Sequence, residues 1–189
     1  MISAIVLAAG VATRFGRTKQ LVELRGKPLA QHVIDAATDG GVDEIVVVLG
    51  HDAERVSSAL RLPGAARTVV NPAHPSGIAS SLTVGLRALD ARSEAAIVLL
   101  ADQPGITKEH VSALAREFRG TGPPVVRTRF RDAPGPALIA REVWPEIEAL
   151  EGDAGARAIF DAEPDRVRWV TFDEDAPRDV DVPEDLDRA

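Results

Sequence analysis

Apolar residues follow two patterns along the chain. Four short runs, residues 2–7, 44–49, 68–70 and 96–100, are rich in β-branched residues or leucine and nearly uninterrupted. Strands buried on both faces of a parallel sheet have this character. Between and after them, segments 29–38, 53–60, 78–89 and 108–118 carry apolar residues at helical spacing and are predicted as amphipathic helices. Asp52 and Thr107 stand where two N-caps are expected, and Gly40, Gly41 and Gly50 mark turns beside the second run. Strands alternating with helices at this spacing imply right-handed crossovers. The predicted class is therefore α/β: a three-layer, doubly wound, mostly parallel sheet of Rossmann-like type. In such sheets ligands sit at the carboxyl ends of strands, which singles out the loops after Leu7, Leu49, Val70 and Leu100.

The alternation breaks at residues 120–124. Beyond it the pattern predicts a strand at 125–129, a proline- and glycine-rich loop at 133–136 and a strand at 137–140. Helices near 142–150 and 154–162, with Asp153 as a candidate N-cap, precede a strand at 167–172 and a helix start at Pro183. A length of 189 residues suits one domain, 1–189, with functional halves at 1–120 and 121–189.

Composition narrows the field. A net charge of −7 disfavours nonspecific binding to nucleic acid or acidic membrane. With no cysteine, disulfides, thiolate nucleophiles and zinc fingers are excluded, and a cytoplasmic setting is expected. The first apolar run has no preceding basic residues and leads into a glycine loop, so it is predicted as a strand, not a signal peptide or membrane span.

That loop carries the strongest chemical signal. Leu7-Ala8-Ala9-Gly10 is followed by Arg14, Gly16, Arg17 and Lys19. Small residues let backbone N–H groups approach an anion, and three cations suit a triphosphate. The loop is not a Walker A motif: five residues separate Gly10 from Gly16, and Gln20 follows Lys19. Nor is it the G-x-G-x-x-G of dinucleotide-binding proteins. Asp102 follows the fourth apolar run, beside this loop. A carboxylate there tolerates a triphosphate only with a cation between them, and Mg²⁺ takes one or two carboxylates plus phosphate oxygens.

These residues, with Asn71-Pro72, Gly77, Ser80-Ser81-Leu82, Ala101-Asp102-Gln103-Pro104, Gly152-Asp153-Ala154-Gly155-Ala156-Arg157 and Asp179 to Leu186, occur in one order over nearly the whole chain. The set resembles the MobA-like NTP transferases, which include the molybdenum cofactor cytidylyl- and guanylyltransferases. The resemblance implies a Mg²⁺-dependent nucleotidyltransferase, with CTP the leading donor, GTP the alternative, and molybdopterin or another phosphorylated small molecule as acceptor. It makes residues 1–120 the NTP-binding half and 121–189 the acceptor half. A molybdoenzyme or cofactor-delivery partner is implied, and neither nucleic acid nor membrane.

On this view Arg14, Lys19 and Asp102 are catalytic. Leu7, Ala8, Ala9, Gly10, Asn71, Gly77 and Ser80 bind the NTP, with Asn71 suited by its donor and acceptor to a base edge. Arg157 is the candidate for the acceptor. The resemblance matches Asp181 to a second metal-ligand position beside Asp102; of Asp179 and Asp181, at most one is expected at a shared ion. Pro134-Gly135-Pro136 lacks the histidine of the family's Gly-His-Pro-like turn, which leaves the acceptor open. His32, His51, His74 and His110 form no metal-binding pair. A phosphate nucleophile needs no general base, which agrees with this. A nucleotide-binding regulator and a dinucleotide-dependent oxidoreductase are the rivals from other classes.

Overall fold

The first apolar run forms strand β1 (Ile2–Ala8), buried at all seven positions. A short antiparallel hairpin, β2 (Glu23–Leu24) and β3 (Lys27–Pro28), leads into helix α1 (Leu29–Asp39). Then follow β4 (Glu44–Leu49), α2 (Ala53–Ala59), β5 (Ala66–Val70), α3 (Ile78–Ala88), β6 (Ala95–Leu100) and α4 (Lys108–Thr121). The second half contributes β7 (Val125–Arg129), β8 (Pro134–Ala140), α5 (Trp144–Glu148), α6 (Arg157–Ala162) and β9 (Val167–Thr171). The structure, a computed structural model, describes residues 1–10 and 18–188, the side chain of Arg188 excepted.

The main sheet has seven strands in the order β5-β4-β1-β6-β8-β7-β9. Among the described residues β8 alone runs against the others. Strand alternation sends Ala4 and Val6 to one face and Ile5 and Leu7 to the other. The first face packs against α1, α2 and α4 through Val33, Val56 and Leu114; the second packs against α3, α5 and α6 through Leu82, Ile147 and Phe160. The result is the three-layer doubly wound arrangement that the pattern predicts. Strands from residues 1–120 and from residues 121–189 join this one sheet.

From β1 the chain winds outward through β4 to β5, then crosses back to β6 on the other side of β1. That reversal places the topological switch point at the carboxyl ends of β1 and β6, where doubly wound sheets bind ligands.

Four local expectations need correction. Pro134-Gly135-Pro136 belongs to β8 and not to a loop. The registered ladder of β8 with β6 starts only at Ala137, and Pro134 faces Arg129 across a bulge in β7, so the missing proline N–H groups break no ladder. Helix α6 begins at Arg157 with Ala156 as its N-cap, so Asp153 caps nothing; the preceding turn, with Gly152 at φ 61°, is committed to α3 instead. The helix predicted at 142–150 is shorter, five residues of α-helix entered through a 3-10 turn at Arg141–Val143. Asp52 does precede α2, but in a left-handed conformation and without a side-chain cap; its carboxylate accepts a hydrogen bond from Thr18 Oγ1 at 2.5 Å.

Candidate active site

A cleft of about 490 Å³ opens at the switch point. Its floor is Leu7, Ala9 and Leu100, on the ends of β1 and β6; one wall is the start of α3 and the turn before it, and the rim carries Gly10, Lys19, Asp102, Asp153 and Asp181. Two close approaches shape it. Gly77 has φ 106°, and a Cβ there would lie 2.2 Å from the Gly152 carbonyl carbon and oxygen, so only glycine lets these turns touch. The Gly152 carbonyl also accepts the Ala79 N–H at 3.1 Å, which ties the turn at residues 152–155 to the first turn of α3. Just past β4, a Cβ on Gly50 would fall 2.6 Å from the Ala9 carbonyl oxygen and 2.7 Å from His74 Cγ, in the same turn before α3.

Lys19 is the centre of the charged rim. Its Nζ donates to Asp102 Oδ2 at 2.9 Å and to Asp181 Oδ1 at 2.6 Å. Burial disfavours the ammonium, but the bond to Asp181 and the charge and bond of Asp102 outweigh it, and Lys19 is held above its ordinary pKa. Asp181 reaches this point because the tail is pinned: the Val180 N–H donates to the Asp102 carbonyl at 2.9 Å. The Val180 side chain is buried in a small apolar cluster with Val22 and Leu29. Asp179, one alternation earlier, accepts from Gln103 Nε2 at 2.7 Å instead. Packing raises the Asp179 carboxyl against that hydrogen bond, and the charges of Asp102 and Asp181 raise it further.

Three carboxylates around one ammonium leave negative charge in excess. Asp102 Oδ1 is sealed from solvent and has no hydrogen-bond partner, an arrangement that costs free energy unless something else binds there. A divalent cation fits this donor set. Among the described residues no group of three or more His, Cys, Asp or Glu side chains is arranged to hold a metal. The pair therefore suits an ion that completes its shell with phosphate oxygens and water, as Mg²⁺ does, and not a resident ion caged by protein.

The other predicted residues divide. Leu7, Ala9, Gly10 and Gly77 line the cleft. Ala8 does not: strand alternation turns its side chain into the opposite core. Asn71 is 1% exposed, and its amide is used within the protein. Nδ2 donates to Ser80 Oγ at 2.9 Å and Ser81 Oγ at 3.0 Å, and Oδ1 accepts the Ala73 N–H at 2.9 Å. With both N–H donors engaged, Asn71 shapes the turn and the start of α3 and does not face the cleft. Ser80 is likewise turned back on the Gly77 carbonyl, at 2.8 Å. Arg157 lies exposed on α6 in an i,i+4 ion pair with Asp161 at 3.1 Å, away from the cleft lining. Arg14 falls outside the described residues, as do Arg17 and Gly16.

Sequence reasoning missed Ser81, Gln20 and Asp153 as cleft residues and gave His74 little weight, although all four line it. The Gly152-Asp153 block held a signal, since a glycine-aspartate turn far from the first loop has no local purpose. Gln20 is 6% exposed and donates from Nε2 to the Gly10 carbonyl at 2.9 Å, a contact across the glycine loop that no spacing rule announces.

Residues 4–167 match the family model of the MobA-like NTP transferase domain. The chain belongs to that family. Among its relatives, the bifunctional protein GlmU of Sorangium cellulosum is 33% identical over 177 residues; the match covers 86% of this chain and 37% of that protein. Nicotine blue oxidoreductase of Paenarthrobacter nicotinovorans is 31% identical over 196 residues, 99% of this chain and 95% of that protein. The chain thus spans little over a third of the first relative and nearly all of the second. Among solved structures, Rv0371c of Mycobacterium tuberculosis H37Rv superposes with a TM-score of 0.87 at 29% identity, covering 99% of this chain and 96% of that one. The same protein in complex with manganese gives a TM-score of 0.84 at 28% identity over the same shares. No helix among the described residues is long and apolar enough to cross a membrane.

Proposed function

We propose that this MobA-like transferase moves a nucleoside monophosphate from an NTP, with CTP the leading donor, to a phosphorylated acceptor, with molybdopterin the leading acceptor, and releases pyrophosphate. The observation that carries this is the bridge of Lys19 between Asp102 and Asp181, with the buried Asp102 Oδ1 left unpartnered at the cleft. The excess negative charge calls for a cation, and a nucleotide brings one.

In this reading the triphosphate lies over Gly10 and the base sits between Ala9–Gly10 and Gly77, read by backbone groups because Asn71 is committed elsewhere. Asp102 and Asp181 would hold Mg²⁺ or Mn²⁺. Such an ion, when bound, neutralises phosphate oxygens and makes the α-phosphorus more electrophilic. Lys19 then turns its ammonium from the carboxylates to the phosphates, where it offsets charge on the departing pyrophosphate. Arg14 is assigned the same duty from the first loop. The attacking acceptor phosphate is already anionic near neutral pH, so no side chain has to remove a proton. A cytoplasmic setting follows from this chemistry, and a molybdoenzyme or delivery protein is the partner proposed for the product.

Pyrophosphate release measured with each of the four NTPs, Mg²⁺ or Mn²⁺ and molybdopterin tests the reading. Turnover with CTP alone fits it. Turnover with GTP or with a sugar phosphate keeps the reaction and changes the substrates, and no release with any NTP rejects it.

A second reading has one observation in its favour: a relative matched over 95% of its own length is a nicotine blue oxidoreductase. The loop after β1 lacks the G-x-G-x-x-G fingerprint. Consumption of NADH or NADPH with nicotine blue, in the absence of any NTP, would favour it over transfer.

A further inference from the structure

Arg127 is a cation buried without an anion. The residue is 7% exposed, and no carboxylate lies within ion-pair distance of it among the described residues. Its Nε donates a long bond, 3.4 Å, to the Gly135 carbonyl. Its guanidinium carbon lies 5.5 Å from the ring centroid of Phe160 and 5.6 Å from that of Trp169. Neither Nη group has a hydrogen-bond partner among the described residues, and neither is fully sealed from solvent. Asp161 is close enough to act on Arg127 through its charge, but Asp161 is paired with Arg157, whose own charge opposes the benefit. Burying a charge is costly unless it is paired, and aromatic faces offset only part of that cost.

The position gives the missing anion a place. Ile5, Val98, Ala137, Arg127 and Trp169 form one register row across the sheet. The row belongs to the face that also bears Leu7 and Leu100, one pleat nearer the strand ends on β1 and β6, where they floor the cleft. Arg127 therefore lies on the same face as the floor of the cleft but one pleat deeper and two strands beyond β6, about 10 Å at ordinary strand spacing, and outside the cleft lining. Arg129 stacks on Trp169 at 4.1 Å and adds positive charge beside it.

We propose that Arg127, held between Phe160 and Trp169, binds a small oxyanion, a phosphate or carboxylate, either free or as a second acid group of an acceptor other than molybdopterin, whose single phosphate is spent as the nucleophile. The planar fork of arginine, with its outer N–H groups free, matches such a group in two-point fashion. The assignment of the occupant as acceptor rests on the transferase reading; the oxyanion site itself does not.

The chain has two tryptophans, so Trp144→Phe leaves Trp169 as the sole fluorescent reporter beside Arg127. Titration with inorganic phosphate at constant ionic strength is expected to change Trp169 emission saturably in the millimolar range. Arg127→Met should weaken this at least tenfold, and Arg92→Ala, at an exposed arginine paired with Asp90, should leave it unchanged. Arg127→Lys keeps the charge without the fork and should weaken it severalfold, which serves if the methionine variant does not fold. Lys19→Ala should lower NTP turnover by roughly 100- to 1000-fold and leave the phosphate response intact, so failure of the transferase reading and failure of this site are separable. The proposal is overturned by a response that persists in Arg127→Met, disappears in Lys19→Ala, or never saturates. Phosphate inhibition that is competitive with an acceptor bearing a second acid group assigns the site to that acceptor; noncompetitive inhibition assigns it to a free oxyanion.

Discussion

The two ends of the sheet each gather carboxylates and cations, and they treat them in opposite ways. At the amino end, Glu44 is nearly inaccessible and every contact is filled. Its oxygens accept from Ser3 Oγ at 2.7 Å, Ser93 Oγ at 3.3 Å, Arg67 Nη1 at 2.6 Å and the Asp90 N–H at 3.1 Å. At the carboxyl end, Asp102 and Asp181 share one ammonium and Asp102 Oδ1 has no partner. A saturated buried network holds strands together, because any group removed from it leaves others unpaired. An unsaturated one is kept because something else completes it. Stability belongs to the first and binding to the second.

Substitutions at the two ends should therefore separate activity from stability. Lys19→Ala and Asp102→Ala are each expected to lower turnover by roughly 100- to 1000-fold, the usual effect of removing one electrostatic contact to a transition state. Thermal melts should show both variants within a few degrees of the parent protein. Near-normal turnover in either one breaks the comparison at the carboxyl end.

Glu44→Ala should do the reverse. Unfolding by urea is expected to show a loss of about 3 kcal/mol, since the change strands two serine hydroxyls, a backbone N–H and a guanidinium. Turnover per folded molecule should be unchanged.

A smaller effect separates the ends by pH. Burial works to raise the Glu44 carboxyl, but the Ser3 hydroxyl, the Asp90 N–H and Arg67 outweigh it and hold it below its ordinary value. A carboxyl depressed in the folded state contributes stability that is complete above its unfolded pKa and lost as pH falls through the folded one. Urea midpoints should fall on acidification below the ordinary carboxylate range, and Glu44→Gln should flatten that fall. An unchanged slope in this variant would remove Glu44 as its source.

The smallest effect is expected at Arg157→Ala: a stability change within about 0.5 kcal/mol, as for other exposed ion pairs, and unaltered acceptor KM. A large rise in that KM would restore Arg157 to the acceptor site in place of Arg127.

Much of the site was legible because its parts follow buried strands. Lys19 and Asp102 were found from a glycine loop and an apolar run, both local signals. Asp181 needed the family resemblance, because an acidic tail has no periodicity of its own, and its position depends on Val180 anchoring to residues more than 150 positions earlier. Asn71 was misread for a related reason. Its donor and acceptor capacity is as plain in the sequence as its partners, Ser80 and Ser81, are obscure. Arg127 looked like an ordinary strand residue, since nothing local shows that its neighbours in space are aromatic.

Local order on the chain was enough to specify the alternation of strands and helices, the crossovers and the loops at which a ligand would sit, because burial on two faces imposes an apolar pattern that short-range sequence carries. Which polar groups end up satisfied is a different matter. Hydrogen-bond and charge partners come from distant parts of the chain, 83 and 162 positions from Lys19 for Asp102 and Asp181, and only folding brings them within bonding distance. The surplus charge at one end of the sheet, and its absence at the other, therefore appears only once the chain is assembled.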